Sequence, residues 1–263
     1  MPDRDVYIPG VPCWVDSQQP DPSASIPFYE GLFGWTIENV MPEDAEGVYY
    51  MAHIRGRAVA ALGSLPPGAP PMAVWNTYVA VADADASAAK VKEAGGTVFM
   101  EPFEVMDAGR MAVVADPEGA MFCLWQADQS IGAEVVNEHG SVNFNGLATR
   151  DPAQAEAFYG AVFGWGTNVQ DAGPMGQYVE WQVHGRSVAG MMQKPPMLPA
   201  EVPPHWAVYF AVSDTDAAVA RVAELGGTVL MPPMDIEPGR FAPVTDPTGA
   251  VFNLIALKPE LAG

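Results

Sequence analysis

The chain has 263 residues, 49% of them hydrophobic, and carries 12 Lys and Arg against 32 Asp and Glu, a net charge of −20. This length and apolar content suit two domains, each with its own core, and exclude a disordered polymer. The acidic balance repels phosphate backbones and anionic membranes, so neither nucleic acid nor a bilayer is an expected partner.

No apolar run approaches the about 20 residues of a membrane span. The opening MPDRDVYIPG lacks the basic and apolar regions of a signal peptide, so a cytoplasmic location is expected. The two cysteines, Cys13 and Cys123, are too few for a disulfide framework and form no CxxC. Two reduced, buried thiols are expected.

In chain order, VPCWVDSQ (11–18) reads as a strand. Asp21-Pro22 offers an N-cap and a first helical residue, and SASIPFYEGLFG then keeps Ile26, Phe28 or Tyr29, and Leu32-Phe33 on one helical face. Pro27 inside that helix predicts a kink or a late start. Short strands follow in WTIENV, VYYMAHI and RAVAAL. The Pro-rich loop GSLPPGAPPMAV leads to a strand NTYVAVAD, a helix ADASAAKVKEAGG, and strands TVFMEP, MAVVAD and MFCLWQA.

The same order then repeats. PFYEGLFGW (27–35) meets AFYGAVFGW (157–165), HIRGRAVAAL meets QVHGRSVAGM, and WNTYVAVADADASAAKVKEAGGTVFMEP meets WAVYFAVSDTDAAVARVAELGGTVLMPP. DAGRMAVVADPEGAMFCLWQA meets EPGRFAPVTDPTGAVFNLIAL, and the offset stays between 129 and 131 residues throughout. This is a tandem duplication, with expected domains at 7–127 and 139–258 and a polar linker at 128–138. Strand, helix and three strands occur twice in each unit. Gly34 and Gly164 are expected to turn the chain out of a helix, as are Gly95-Gly96 and Gly226-Gly227, while Gly119 and Gly249 close turns after Asp-Pro.

Paired strand–helix–three-strand modules, a helix ending in FYxxxFGW, the tail GGTV and the turn DPxGAxF resemble the vicinal oxygen chelate superfamily. Its members include glyoxalase I, bleomycin-resistance proteins, fosfomycin-resistance enzymes and extradiol dioxygenases. The resemblance covers residues 7–127 and 137–258. It is strongest to two-domain actinobacterial proteins known as glyoxalase-like proteins or hydroxylases. It implies an α+β fold of tandem glyoxalase-like domains, each of two paired βαβββ modules curling into a half-barrel around a cavity. Relatives build that cavity either within one unit or across two, and the sequence leaves both open.

Metal-dependent members place one ligand on each of four strands. The matching positions are Trp14 and Phe144, then the stretches AVAAL (58–62) and VAGMM (188–192), then Asn76 and Ala207, then Cys123 and Asn253. Trp, Ala, Asn and Cys make a poor set for a divalent ion, so no metal and no other cofactor is expected.

The expected ligand-side stripe of the first unit holds Trp14, Asp16, Asn76, Tyr78, Cys123 and Trp125. That of the second holds Phe144, Met191, Ala207, Tyr209 and Asn253, with Gly146 in the place of Asp16 and His205 at the border. Trp181, Tyr178 and Glu180 lie on a neighbouring strand, and Met-rich pocket edges are expected at MPPMD, PPML and GMM. His53, His139 and His184 are not equivalent across the repeat and read as surface residues.

Two functions stay open. Aromatic walls with a few polar groups suit sequestration of a small aromatic or amphipathic molecule. Alternatively, a metal-free enzyme of hydroxylase, lyase or isomerase type would act on a secondary metabolite, with Asp16 and Tyr78 as acid and base. The expected partner is a small molecule in either case, and self-association is left open.

Overall fold

The computed structural model describes residues 3–171, 176–194 and 201–261. In the first unit the elements are β1 (Pro12–Gln19), α1 (Ile26–Phe33), β2 (Thr36–Asn39), β3 (Tyr49–Ile54), β4 (Arg57–Ser64), β5 (Val74–Ala80), α2 (Ala84–Glu93), β6 (Thr97–Val105), β7 (Gly109–Ala115) and β8 (Met121–Ala127). The second unit has β9 (Val142–Thr149), α3 (Pro152–Phe163), β10 (Gly166–Asp171), β11 (Gln177–Val183), β12 (Arg186–Gln193), β13 (His205–Ala211), α4 (Thr215–Glu224), β14 (Thr228–Val229), β15 (Met234–Ile236), β16 (Gly239–Thr245) and β17 (Val251–Leu257). The expected PPML pocket edge (195–198) lies outside the described residues.

Local chemistry explains most boundaries. Asp151 caps α3 by accepting from the Gln154 amide at 3.0 Å, with Pro152 just inside the helix. Asp21 instead receives the Ser23 hydroxyl at 2.6 Å, and residues 22–25 form only a 3-10 turn. The α-helix starts late, at Ile26, as Pro27 requires. Gly34 and Gly164 end α1 and α3 at φ of +69° and +71°, the left-handed region that glycine enters freely. Where the first unit runs β6 through nine residues, the second has the short pieces β14 and β15. Pro232 and Pro233, without N–H groups, lie between those pieces.

Each unit forms one continuous sheet. The orders are β2-β3-β4-β1-β5-β8-β7-β6 and β10-β11-β12-β9-β13-β17-β16-β14, with β15 on β16. The two modules of a unit meet through their first strands, β1 antiparallel to β5 and β9 antiparallel to β13. Each sheet therefore draws all its strands from one unit.

The cores are a different matter, because they are shared. One combines Phe28, Tyr29, Phe33 and Trp75 of the first unit with Val208, Phe210, Val222 and Phe252 of the second. The other joins Val79, Val91, Phe122 and Leu124 to Leu147, Phe158, Tyr159 and Trp206. Helix α1 packs on α4, and α2 on α3. The FYxxxFGW helix thus covers the opposite unit as well as its own sheet. Tyr29 donates its hydroxyl to Asp246 at 3.0 Å, and Tyr159 donates to Asp116 at 3.1 Å. Trp35 and Trp165 donate their indole N–H groups to the carbonyls of Gly140 and Gly10, each at 2.7 Å.

The stretch read as a polar linker is packed. Ala133 and Val135 are buried, the Ala133 amide donates to Cys13 O at 2.7 Å, and Glu134 N donates to Ala58 O at 2.7 Å. Its backbone bonds to β1 through Cys13 and to β4 through Ala58.

Shared cores predict a single unfolding event. Phe33 stacks among Tyr29, Trp35, Phe210 and Phe252. Phe33→Ala should destabilise the protein by about 3–5 kcal/mol. In scanning calorimetry both units should still melt together at a lower temperature; two separated transitions would contradict the crossed packing.

Candidate functional site

Alternate residues of each strand face away from the shared cores, and these make the concave faces. In the first unit β1 contributes Trp14 and Asp16, with Val15 and Ser17 turned to the other side. Strand register sets Asp16 beside Asn76, Trp14 beside Tyr78, and Tyr78 beside Cys123. Tyr49 reaches in from β3. Asp16 Oδ2 accepts from the Tyr78 hydroxyl at 2.7 Å and the Tyr49 hydroxyl at 3.1 Å, and Oδ1 accepts from the Asn76 amide at 2.8 Å. Trp14 Nε1 donates to the Tyr49 oxygen at 3.0 Å.

The predicted stripe is therefore brought together, but it fills its own face. Asp16 is 1% exposed, and Trp14, Tyr78, Cys123 and Trp125 are all buried. The interunit segment adds to the closure, since Trp125 Nε1 donates to Ser130 O at 2.9 Å and Tyr7 donates to Ala133 O at 2.7 Å. A cleft at the seam, lined by Tyr7, Cys13, Trp14, Ala133, Val142 and Asn145, has space for about one water. Burial pushes the Asp16 carboxyl upward, opposed by the hydrogen bonds from Asn76, Tyr78 and Tyr49. Burial likewise raises both tyrosine hydroxyls and the Cys123 thiol well above their usual ranges.

The second unit keeps the frame and loses the carboxylate. Phe144 stands for Trp14, Tyr178 for Tyr49 and Tyr209 for Tyr78, as the matching register of β9, β11, β12 and β13 requires. Gly146 replaces Asp16, Gly190 replaces Ala61 and Ala207 replaces Asn76, three adjacent positions on neighbouring strands. Phe144, Gly146, Tyr178, Ala207, Tyr209 and Phe241 are all half-buried, whereas in the first unit Tyr49, Asn76 and Met111 are half-buried and Trp14, Asp16 and Tyr78 are buried. Phe144 meets Tyr209 edge-on at 6.4 Å, and Phe241 lies at 6.4 Å on the other side of the Tyr209 ring. Burial pushes Tyr209 up to about 12, and burial, Tyr209 and Glu180 together raise Tyr178.

Several expected residues lie elsewhere. Met191 and Trp181 are fully buried in the shared core with Trp206, because strand alternation turns them away from the concave side. Asn253 is buried beside Tyr209, with its amide 3.5 Å from Val208 O. His205 shares the face of Ala207 and Tyr209, and its Nδ1 lies 2.9 Å from Pro203 O. His53 is half-buried rather than on the surface, whereas His139 and His184 are exposed.

Tyr49 and Asp246 were missed as partners of Asp16 and Tyr29. The available signal was recurrence, since tyrosines at 49 and 178 and aspartates at 116 and 246 keep the spacing of the repeat. The arginines of DAGRMA and EPGRFA make ion pairs, Arg110 with Asp85 and Glu104 and Arg240 with Asp216 and Asp235.

Residues 14–124 match the family described as Glyoxalase/Bleomycin resistance protein/Dioxygenase superfamily, and residues 141–255 match a Glyoxalase-like domain. The chain belongs to the glyoxalase/bleomycin resistance/dioxygenase superfamily, the vicinal oxygen chelate fold. Among superfamily relatives, CFP32 of Mycobacterium tuberculosis, which bears a provisional glyoxylase name, is 45% identical over 99% of this chain and 100% of its own length. The anthracycline biosynthesis protein DauV of Streptomyces sp. strain C5 is 40% identical over 96% of this chain and 95% of its own. The fold is also that of the Mn(II)-bound glyoxalase of Novosphingobium aromaticivorans, with TM-score 0.63, 17% identity, and 95% and 84% of the two chains covered. The 2,3-dioxygenase LapB of Pseudomonas sp. KL28 is similar, with TM-score 0.64, 15% identity, and coverage of 97% and 96%.

The side chains here do not fit the metal that the first of these structural neighbours holds. Among the described residues no three His, Cys, Asp or Glu side chains gather as a metal would need. Both concave faces offer mainly rings, amides and small residues, and Cys123 is held as a neutral thiol by its burial.

The Asp16 cluster makes a pH-dependent contribution with a definite sign. A carboxyl raised in the folded state contributes stability below its unfolded value of about 4 and loses it as pH rises through the folded value. Asp16→Asn removes this titration. In urea denaturation, the stability of the natural protein relative to the variant should fall as pH rises from acid towards neutrality; parallel pH curves would refute the assignment.

Proposed function

We propose that this superfamily member binds a small, planar aromatic or amphipathic molecule on the concave face of its second unit, without a metal ion. The half-exposed ring set of Phe144, Tyr178, Tyr209 and Phe241 around Gly146 and Ala207 carries this reading. Rings on the walls and small residues between them give a flat ligand both area and room. The first unit does not offer the same surface, because Asp16 and its three donors occupy the corresponding space. That occupancy also weighs against Asp16 and Tyr78 as acid and base. Both groups are buried and already bonded to each other, so neither is free to exchange a proton with a substrate.

The name of DauV makes an anthracycline the natural first probe. Equilibrium dialysis should detect saturable binding. Tyr209→Ala removes a wall and should weaken it by roughly tenfold or more, on the scale of one buried aromatic contact. Asp16→Asn should leave affinity unchanged. Loss of binding in Asp16→Asn together with full affinity in Tyr209→Ala would move the site to the first unit and overturn the proposal.

A further inference from the structure

The two units are an internal comparison, and their difference has a chemical meaning. In the first, the Tyr49 and Tyr78 hydroxyls converge on one oxygen, Asp16 Oδ2, while Asn76 serves the other. In the second, both tyrosines are kept as Tyr178 and Tyr209, and neither hydroxyl bonds another described residue. The acceptor between them is gone, because Gly146 has no side chain. The Asn76 donor is gone as well, because Ala207 cannot supply one.

Gly146 is not demanded by the backbone or by crowding. Its φ lies outside the left-handed region, and an added Cβ would meet only Tyr209, at 3.4 Å from the nearest ring carbon. Gly190 beside it does have a steric reason, since an added Cβ would lie 2.0 Å from the Tyr178 oxygen. Tyr178 therefore lies across Gly190, next to Gly146, and Tyr209 overhangs Gly146 from the other strand. The Tyr209 oxygen lies 4.0 Å from the Cβ that Gly146 lacks, and the Tyr178 oxygen lies over the paired Gly190, where the first unit has the Ala61 side chain.

We propose that the second concave face seats its ligand by a single carbonyl oxygen, held by the Tyr178 and Tyr209 hydroxyls beside Gly146 and Gly190. This rests on the binding reading above and narrows its ligand class to neutral aromatic ketones and quinones. A carboxylate would bring two oxygens, and Ala207 supplies no counterpart of the Asn76 donor for the second. Negative charge is opposed further by Glu180, whose field reaches Tyr178, and by the chain's net charge of −20. The tyrosines remain protonated, so both act as donors to a lone pair rather than as acceptors.

A matched pair of probes isolates the oxygen. 9-Fluorenone and fluorene share a planar skeleton and differ in one carbonyl. Two hydrogen bonds should make fluorenone bind the natural protein about tenfold more tightly than fluorene. Binding should also move its carbonyl stretch to lower wavenumber. Tyr178→Phe/Tyr209→Phe should equalise the two affinities and restore the stretch while fluorene binding is retained. Gly146→Asp, which rebuilds the first unit's arrangement, should abolish fluorenone binding in a protein whose circular dichroism and melting are unchanged. Equal affinities in the natural protein, or a preference that survives in the double Phe variant, would overturn the carbonyl seat while leaving the aromatic site in place. Failure of both probes to bind would remove the binding reading itself, and the carbonyl seat with it.

Discussion

A buried hydroxyl–carboxylate contact, made twice, fixes the relation between the two units. Tyr29 of one unit meets Asp246 of the other, and Tyr159 meets Asp116 in return. Each aspartate also accepts amides of its own turn, from Glu118 and Ala120 or from Thr248 and Ala250. The carboxylate thus closes a turn with one oxygen and anchors a foreign helix with the other. Around this pair, Trp75 and Trp206 donate to the same tyrosine oxygens at 3.2 and 3.0 Å. With a buried acceptor satisfied only in the crossed arrangement, alternative dockings would leave polar groups unpaired.

Crossed docking has a functional consequence. Because the sheets share their cores, the residues of each concave face lie on the side of their own strands away from that core. The first face could settle into a closed polar cluster while the second lost its carboxylate and its amide. The frame tolerates both because its stability is lodged in the shared cores.

Recurrence made the strand order, the tandem units and the glycine turns readable from sequence, since those depend on local pattern. The crossing of the helices was not readable. Tyr29 and its partner Asp246 lie 217 residues apart, and a repeat supplies the same letters whether a helix covers its own sheet or its neighbour's. Site residues were legible to the extent that strand alternation fixed their direction. Trp14, Asp16, Asn76 and Tyr78 were placed on one face and meet there. Met191 was not, because a stretch as uniform as VAGMM gives no phase, and a shift of one residue sends a side chain through the sheet. Openness was the hardest property to read. The same aromatic stripe is closed in one unit and half-exposed in the other, and the difference lies in Asp16, in Tyr49 reaching from another strand, and in the packed interunit segment.

The closed face clarifies what the open one lacks. A tyrosine hydroxyl needs an acceptor, from the chain, from water or from a bound molecule. The first unit meets that need internally with Asp16, at the expense of burying a carboxylate. The second has the donors and no side-chain acceptor at a position where neither backbone geometry nor crowding calls for glycine. Phenylalanine would pack as well at either position, so the two hydroxyls are what the second face adds to its rings. Keeping both hydroxyls on a half-exposed aromatic face places the acceptor outside the chain.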